Sequence, residues 1–155
     1  MRVHIGSDHA AFELKNAVAE HLRSLGHDVV DAGPAAYDPE DDYPVYVLRA
    51  AEAVVADPGS LGVVLGGSGN GEAIAANKVT GVRCALAWND DTAALGRQHN
   101  DANVVSLGAR QVTVEEGKRF VDIFLATPFS AEERHSRRIA MLTAYEADGV
   151  LPPLS

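Results

Sequence analysis

The sequence predicts an α/β fold, a doubly wound sandwich with helices on both faces of a five-stranded, mainly parallel sheet. Two observations carry that expectation. Short apolar runs alternate with longer stretches of helical periodicity along the whole chain, which is the pattern of βαβ units. Three of those runs stop at small or polar residues, Gly6-Ser7-Asp8-His9, Gly66-Gly67-Ser68-Gly69 and Gly108-Ala109-Arg110. Right-handed crossovers put all three endings on one rim, where parallel sheets bind ligands.

The elements follow in order. Residues 2–5 are the first strand, and Ser7 or Asp8 caps the next helix. Over residues 10–25 the apolar Leu14, Val18, Leu22 and Leu25 keep to one face, and Gly26 ends the helix. Residues 28–31 are the second strand. From Gly33-Pro34 to Pro44 runs a turn-rich loop whose acids, Asp38, Glu40, Asp41 and Asp42, read as a solvated surface. Residues 43–56 form an alanine-rich helix with Pro44 in its first turn, and 57–60 a turn. The third strand, 61–65, enters the glycine loop and a helix reaching about Lys78. The fourth strand covers 82–87 or 88. Asn89 to Thr92 cap a helix to about His99, and 103–107 are the fifth strand. Helices over about 114–126 and 131–145 are separated by Thr127-Pro128. Residues 1–150 thus read as one domain and 151–155 as a loose tail.

Bulk properties narrow the function. The chain has 155 residues, 46% of them hydrophobic and 23% charged, ordinary values for one soluble domain. No apolar run approaches the roughly 20 residues of a membrane span, and the N-terminus lacks a signal-peptide pattern. One cysteine, Cys84, allows no intramolecular disulfide and suits a cytoplasmic setting. A net charge of −9 argues against nucleic-acid binding, leaving a few local arginines to select an anionic small molecule.

The candidate chemistry centres on Gly66-Gly67-Ser68-Gly69-Asn70-Gly71-Glu72. This loop spells no dinucleotide fingerprint, because the sixth position from Gly67 is Glu72, and no Gly-Lys-Ser/Thr closes it as a P-loop. Four glycines in six positions exceed what a tight turn needs, so the loop reads as a nest for a phosphate or a developing oxyanion. Glu72, on the first helical turn, is either a carboxylate favouring the helix dipole or a base set against that nest. Asp8-His9 is either an N-cap with a surface histidine or part of the rim site, and His99-Asn100 either a helix-end pair or substrate contacts. Arg134 and Arg138, four apart, share a helix face. They suit a phosphate, or they form a surface stripe pairing with Glu132, Glu133 or another subunit. His4, His21 and His27 read as structural. A metal site from His9, His99 and His135 lacks compact ligand spacing, so no metal is expected.

Together these residues resemble a known family. Gly-Ser-Asp-His-Ala at the first strand's end, Gly-Gly-Ser-Gly-Asn-Gly-Glu with Ala-Ala-Asn-Lys, His-Asn-Asp-Ala-Asn at 99–103 and Gly-Ala-Arg at 108–110 are similar to ribose-5-phosphate isomerase type B. The resemblance spans roughly residues 2–145. It implies a Rossmann-like three-layer sandwich, a homodimer whose active sites are completed by the neighbouring subunit, and cofactor-free interconversion of ribose 5-phosphate and ribulose 5-phosphate. It further implies that Asp8 and His9 contact the sugar, with His9 near the phosphate end. The loop of Gly67, Ser68, Gly69, Asn70 and Gly71 would stabilise an enediolate, and His99 would open the ring. Asn100 would hold a hydroxyl, and Arg110, Arg134 and Arg138 would bind phosphate. Many members carry a cysteine base just before the loop, where this chain has Gly66. It resembles instead the branch that uses a glutamate after the loop, here Glu72, and Cys84 reads as a small core residue. Isomerases of six-carbon sugar phosphates, and a non-catalytic sugar-phosphate-binding module, are the alternatives that these motifs leave open.

Overall fold

A computed structural model describes residues 1–154 of the chain. Its sheet is built from β1 (Arg2–Ser7), β2 (Asp28–Asp31), β3 (Leu61–Gly66), β4 (Cys84–Leu86) and β5 (Val104–Gly108). The order is β2-β1-β3-β5-β4, and every pairing is parallel rather than mainly so. The chain winds one way from β1 to β2 and then returns to the other side of β1 for β3. The switch point therefore lies between the ends of β1 and β3, where Ser7 pairs with Leu65.

Helices α1 (Phe12–Ser24), α4 (Asp90–Asn100) and α5 (Val114–Ala126) cover one face, and α2 (Tyr43–Ala56) and α3 (Asn70–Ala76) the other. Strand alternation divides the core accordingly. Val3, Ile5, Val63, Leu65, Val105 and Leu107 pack with Leu14, Val18, Leu22, Phe120 and Phe124. Val64 and Val104 pack with Val47, Ala50, Ala51, Val54, Ala75 and Ala76. Helix α6 (Glu133–Asp148) belongs to neither layer. It buries only His135 and leaves Met141, Leu142 and Tyr145 exposed.

Several boundaries differ from the sequence expectation for identifiable reasons. Residues 9–11 form a 3-10 turn before α1, because the Asp8 carboxylate accepts a hydrogen bond from Ala10 N–H at 3.0 Å. Helix α3 ends at Ala76 rather than near Lys78: the Asn77 amide donates to the carbonyls of Ala73 and Cys84 and turns the chain. Strand β4 begins at Cys84 rather than Val82, since Val82 N–H bonds back to Val79 and Arg83 N–H donates to the Asn103 side chain. No helix among the described residues is long and apolar enough to cross a membrane.

Candidate active site

The rim at the ends of β1, β3 and β5 brings together Asp8, His9, Gly67–Gly71, Glu72 and Arg110. Gly69 caps α3 with φ +81°, a conformation natural to glycine, while Ser106 Oγ–H donates to its carbonyl at 2.7 Å and fixes the loop from β5. Ala109 and Arg110 N–H donate to the carbonyls of Gly66 and Gly67, which ties the two strand ends together. Asn70 N–H donates to Ser68 Oγ at 3.2 Å, and both side chains remain exposed. The Arg110 guanidinium lies against Gly67, 3.1 Å from where a Cβ there would stand. It forms no ion pair among the described residues.

Glu72 is the side chain this arrangement surrounds. It is 4% exposed, and its Oε2 is buried without a hydrogen-bond partner among the described residues. Its carboxylate occupies the space beside Gly66: a Cβ on residue 66 would sit 1.8 Å from Oε1. The absence of a side chain at residue 66 is therefore what admits the glutamate. Burial pushes the Glu72 carboxyl above the usual carboxylate range. The Asp8 charge adds to that, while the backbone groups of Glu72 and Gly69 pull the other way. Cys84 packs against the α2–α3 layer, and burial holds its thiol at about 12. It is protonated at neutral pH and serves no base function.

The loop between β2 and α2 departs from expectation. Asp41 is not part of a solvated acid surface: its side chain is 5% exposed and bonds to His9, at 2.8 Å to Nδ1 and 2.8 Å to the backbone N–H. Tyr43 leans over the glycine loop, with its hydroxyl 3.0 Å from a Cβ built on Gly71. The buried Lys15 ammonium donates to Asp31 and to the Pro34 carbonyl, anchoring the other end of this loop. No sequence signal set Asp41 apart from its acidic neighbours, and Tyr43 had only its place at a helix start.

His99, Asn100, Arg134 and Arg138 gather elsewhere. Helix α4 leaves the rim after β4 and runs back beside the sheet, so its C-terminal residues reach the start of β5. Arg83, just before β4, donates to the Asn100 carbonyl at 2.8 Å, which fixes that placement. An 11-residue helix covers about 16 Å, so this group stands at the end of the sheet opposite Glu72. There His99 stacks on the buried His135, with ring centroids 4.3 Å apart. His135 Nδ1 meets Ser130 Oγ at 2.8 Å, and burial, with His99 and the flanking arginines, lowers its pKa. Arg134 makes an exposed ion pair with Glu132 at 2.9 Å, whereas Arg138 has no ion-pair partner among the described residues. A cleft of about 460 Å³, lined by Asn77, Cys84, Asn100, Leu142 and Glu146, separates α6 from the body.

The family model described as "Ribose/Galactose Isomerase" matches residues 3–142. The chain belongs to this isomerase family. It is 54% identical to "Ribose-5-phosphate isomerase B" of Mycobacterium tuberculosis over 154 residues, covering 99% of this chain and 95% of that one. The crystal structure of ribose-5-phosphate isomerase B from Mycoplasma genitalium with bound ribulose-5-phosphate superposes with a TM-score of 0.91 at 41% identity, covering 95% of this chain and 97% of that chain. The isomerase from Clostridium thermocellum superposes with a TM-score of 0.92 at 37% identity, covering 97% and 100%. The family thus shares the isomerase fold over nearly its full length with this chain. Among the described residues no three His, Cys, Asp or Glu side chains converge as a metal site.

Proposed function

We propose that this chain interconverts D-ribose 5-phosphate and D-ribulose 5-phosphate through an enediolate, in a cytoplasmic homodimer whose sites are each built from both copies. The observation that carries the reaction is the buried Glu72 carboxylate, with one unpartnered oxygen, beside the glycine loop at the sheet's switch point. A carboxylate raised by burial is a stronger base than an exposed one, and one oxygen is free to accept a proton. Glu72 takes the proton from C2 of the aldose and returns it to C1. The loop N–H groups and Ser68 stabilise the oxyanion that forms between the two transfers. Arg110 and His9 bind the phosphate from the same copy as Glu72. From the second copy come His99, which opens the ring, Asn100, which holds a hydroxyl, and Arg134 and Arg138, which grip the phosphate. Two features support the shared site. These four residues lie at the end of their own sheet away from Glu72, and α6 carries an exposed apolar stripe of Met141, Leu142 and Tyr145.

The test is isomerisation of ribose 5-phosphate by the parent and by Glu72→Gln. The parent turns it over, and the variant, folded and binding substrate, loses about 10²–10⁴-fold in kcat. Parent-like turnover by Glu72→Gln removes the glutamate from the mechanism. An inert parent overturns the assignment.

A further inference from the structure

We infer that Asp41 is a positioning residue of this site, holding the His9 imidazole by Nδ1 so that its Nε2–H is presented to the anionic end of the substrate. The inference rests on the proposed reading of His9 as a phosphate contact, and adds the residue that makes His9 fit for it.

One oxygen of Asp41 receives both the backbone N–H and the ring Nδ1 of His9, each at 2.8 Å. Two contacts to one residue fix both the position of its backbone and the rotation of its ring. The other oxygen, Oδ2, is buried without a partner among the described residues. A carboxylate so desolvated is costly unless a cation adjoins it. Neither lysine nor arginine pairs with Asp41 among the described residues, and His9 is its ion-pair partner. That pairing favours the imidazolium, with Nδ1–H donating to Asp41. Among the described residues Nε2–H is then left without a partner, on a side chain 29% exposed at the rim. A buried aspartate thereby converts a histidine into a fixed cationic donor, which suits a phosphate.

The surroundings agree. The groups facing His9 are Asp41 and Asp8, whose charges both favour its protonation against some opposing burial. The Tyr37 ring meets it edge-on at 6.4 Å. The Tyr46 phenol, raised by burial, by the charges of Asp41 and Asp38 and by the approach of its hydroxyl to the Asp41 carboxylate, stays neutral near pH 7. The loop bearing Asp41 is itself pinned at its start by Lys15 through Asp31 and Pro34.

Asp41→Asn keeps the shape of the side chain and removes its charge. The measurements are His9 titration by NMR, assigned with His9→Gln, binding of inorganic phosphate, and kcat and KM for ribose 5-phosphate across about pH 6 to pH 9. In the variant His9 titrates at lower pH than in the parent, because the Asp41 hydrogen bond and charge that favour the imidazolium are gone. KM and the Kd for inorganic phosphate rise about three- to tenfold near pH 8, and kcat changes less than about twofold. As pH falls and the imidazole takes up its proton in both proteins, the two KM values approach one another. Unchanged His9 titration, or unchanged phosphate binding, overturns the inference. A KM rise equal at every pH, or a loss confined to kcat, also overturns it, since that marks a merely structural residue. Titration and phosphate binding need no turnover. A parent inert toward ribose 5-phosphate therefore defeats the proposed reaction while these two measurements still decide the role of Asp41.

Discussion

Glu72 keeps a carboxyl group where the fold is least hospitable to its charge. Burial raises its pKa, so the folded chain holds this proton to higher pH than the unfolded chain does. For an acid raised in the folded state, the stability it permits is greatest below its ordinary range. That stability falls as pH rises through the interval up to the folded value, and remains lost above it. Glu72→Gln removes that penalty. Its melting temperature should exceed the parent's near neutral pH, with the gain shrinking toward about pH 4. Thermal unfolding followed by circular dichroism at both values checks this, and a gain independent of pH contradicts it. Glu72 was legible in the sequence because a glycine loop announced its surroundings. Asp41 was not, because its burial comes from a loop folding back onto His9, which no spacing along the chain encodes. Arg134 and Arg138 looked equivalent at four-residue spacing. A surface pair with Glu132 distinguishes them, and such pairs are worth about 1 kcal/mol or less.

Between β3 and α3 the last residue of a strand and the first turn of a helix compete for one volume. A Cβ on Gly66 would stand 1.8 Å from Oε1 and 2.1 Å from the carboxyl carbon of Glu72. A base carried on residue 66 and the glutamate as placed here therefore exclude one another, and a cysteine-for-glutamate exchange requires both positions to change. Gly66→Ala alone should displace the carboxylate and depress kcat by about 10²-fold or more. Adding Glu72→Ala to it should recover part of the lost stability without recovering activity, a non-additive pair. Denaturant unfolding and steady-state rates of the two single variants and the double variant measure this. Additive stabilities would mean that the carboxylate moves aside freely. Local signals of this kind, an apolar run stopped by glycine and resumed as a helix, made the element order readable. They carried less about boundaries. The ends of α3 and β4 depend on the Asn77 and Asn103 side chains, whose partners lie 4 to 22 residues away.

The alternation of strands and helices made the doubly wound sheet predictable, because each βαβ unit is specified locally and handedness does the rest. The separation of the candidate residues between two ends of that sheet was less accessible, since motif order along the chain does not state which end each motif reaches. Connectivity supplies it: α4 carries His99 away from the rim, and α6 starts beside it, where Ser130 N–H donates to the Gln98 carbonyl at 3.0 Å. On the proposed shared site, Glu72 and His99 of one copy serve different active centres. Two inactive proteins can then repair one another. Glu72→Gln and His99→Asn, mixed and allowed to exchange subunits, form heterodimers in which one site carries both lesions and the other carries neither. Random exchange makes half of all dimers mixed, so about one quarter of the sites become intact and about one quarter of the parent activity should return. The recovered activity should show the parent KM, because the intact sites are unaltered. Were both residues to serve the same site from one copy, every site would keep a lesion and mixing would restore nothing. A coupled assay before and after exchange, with dimer formation followed by sedimentation, separates the two arrangements.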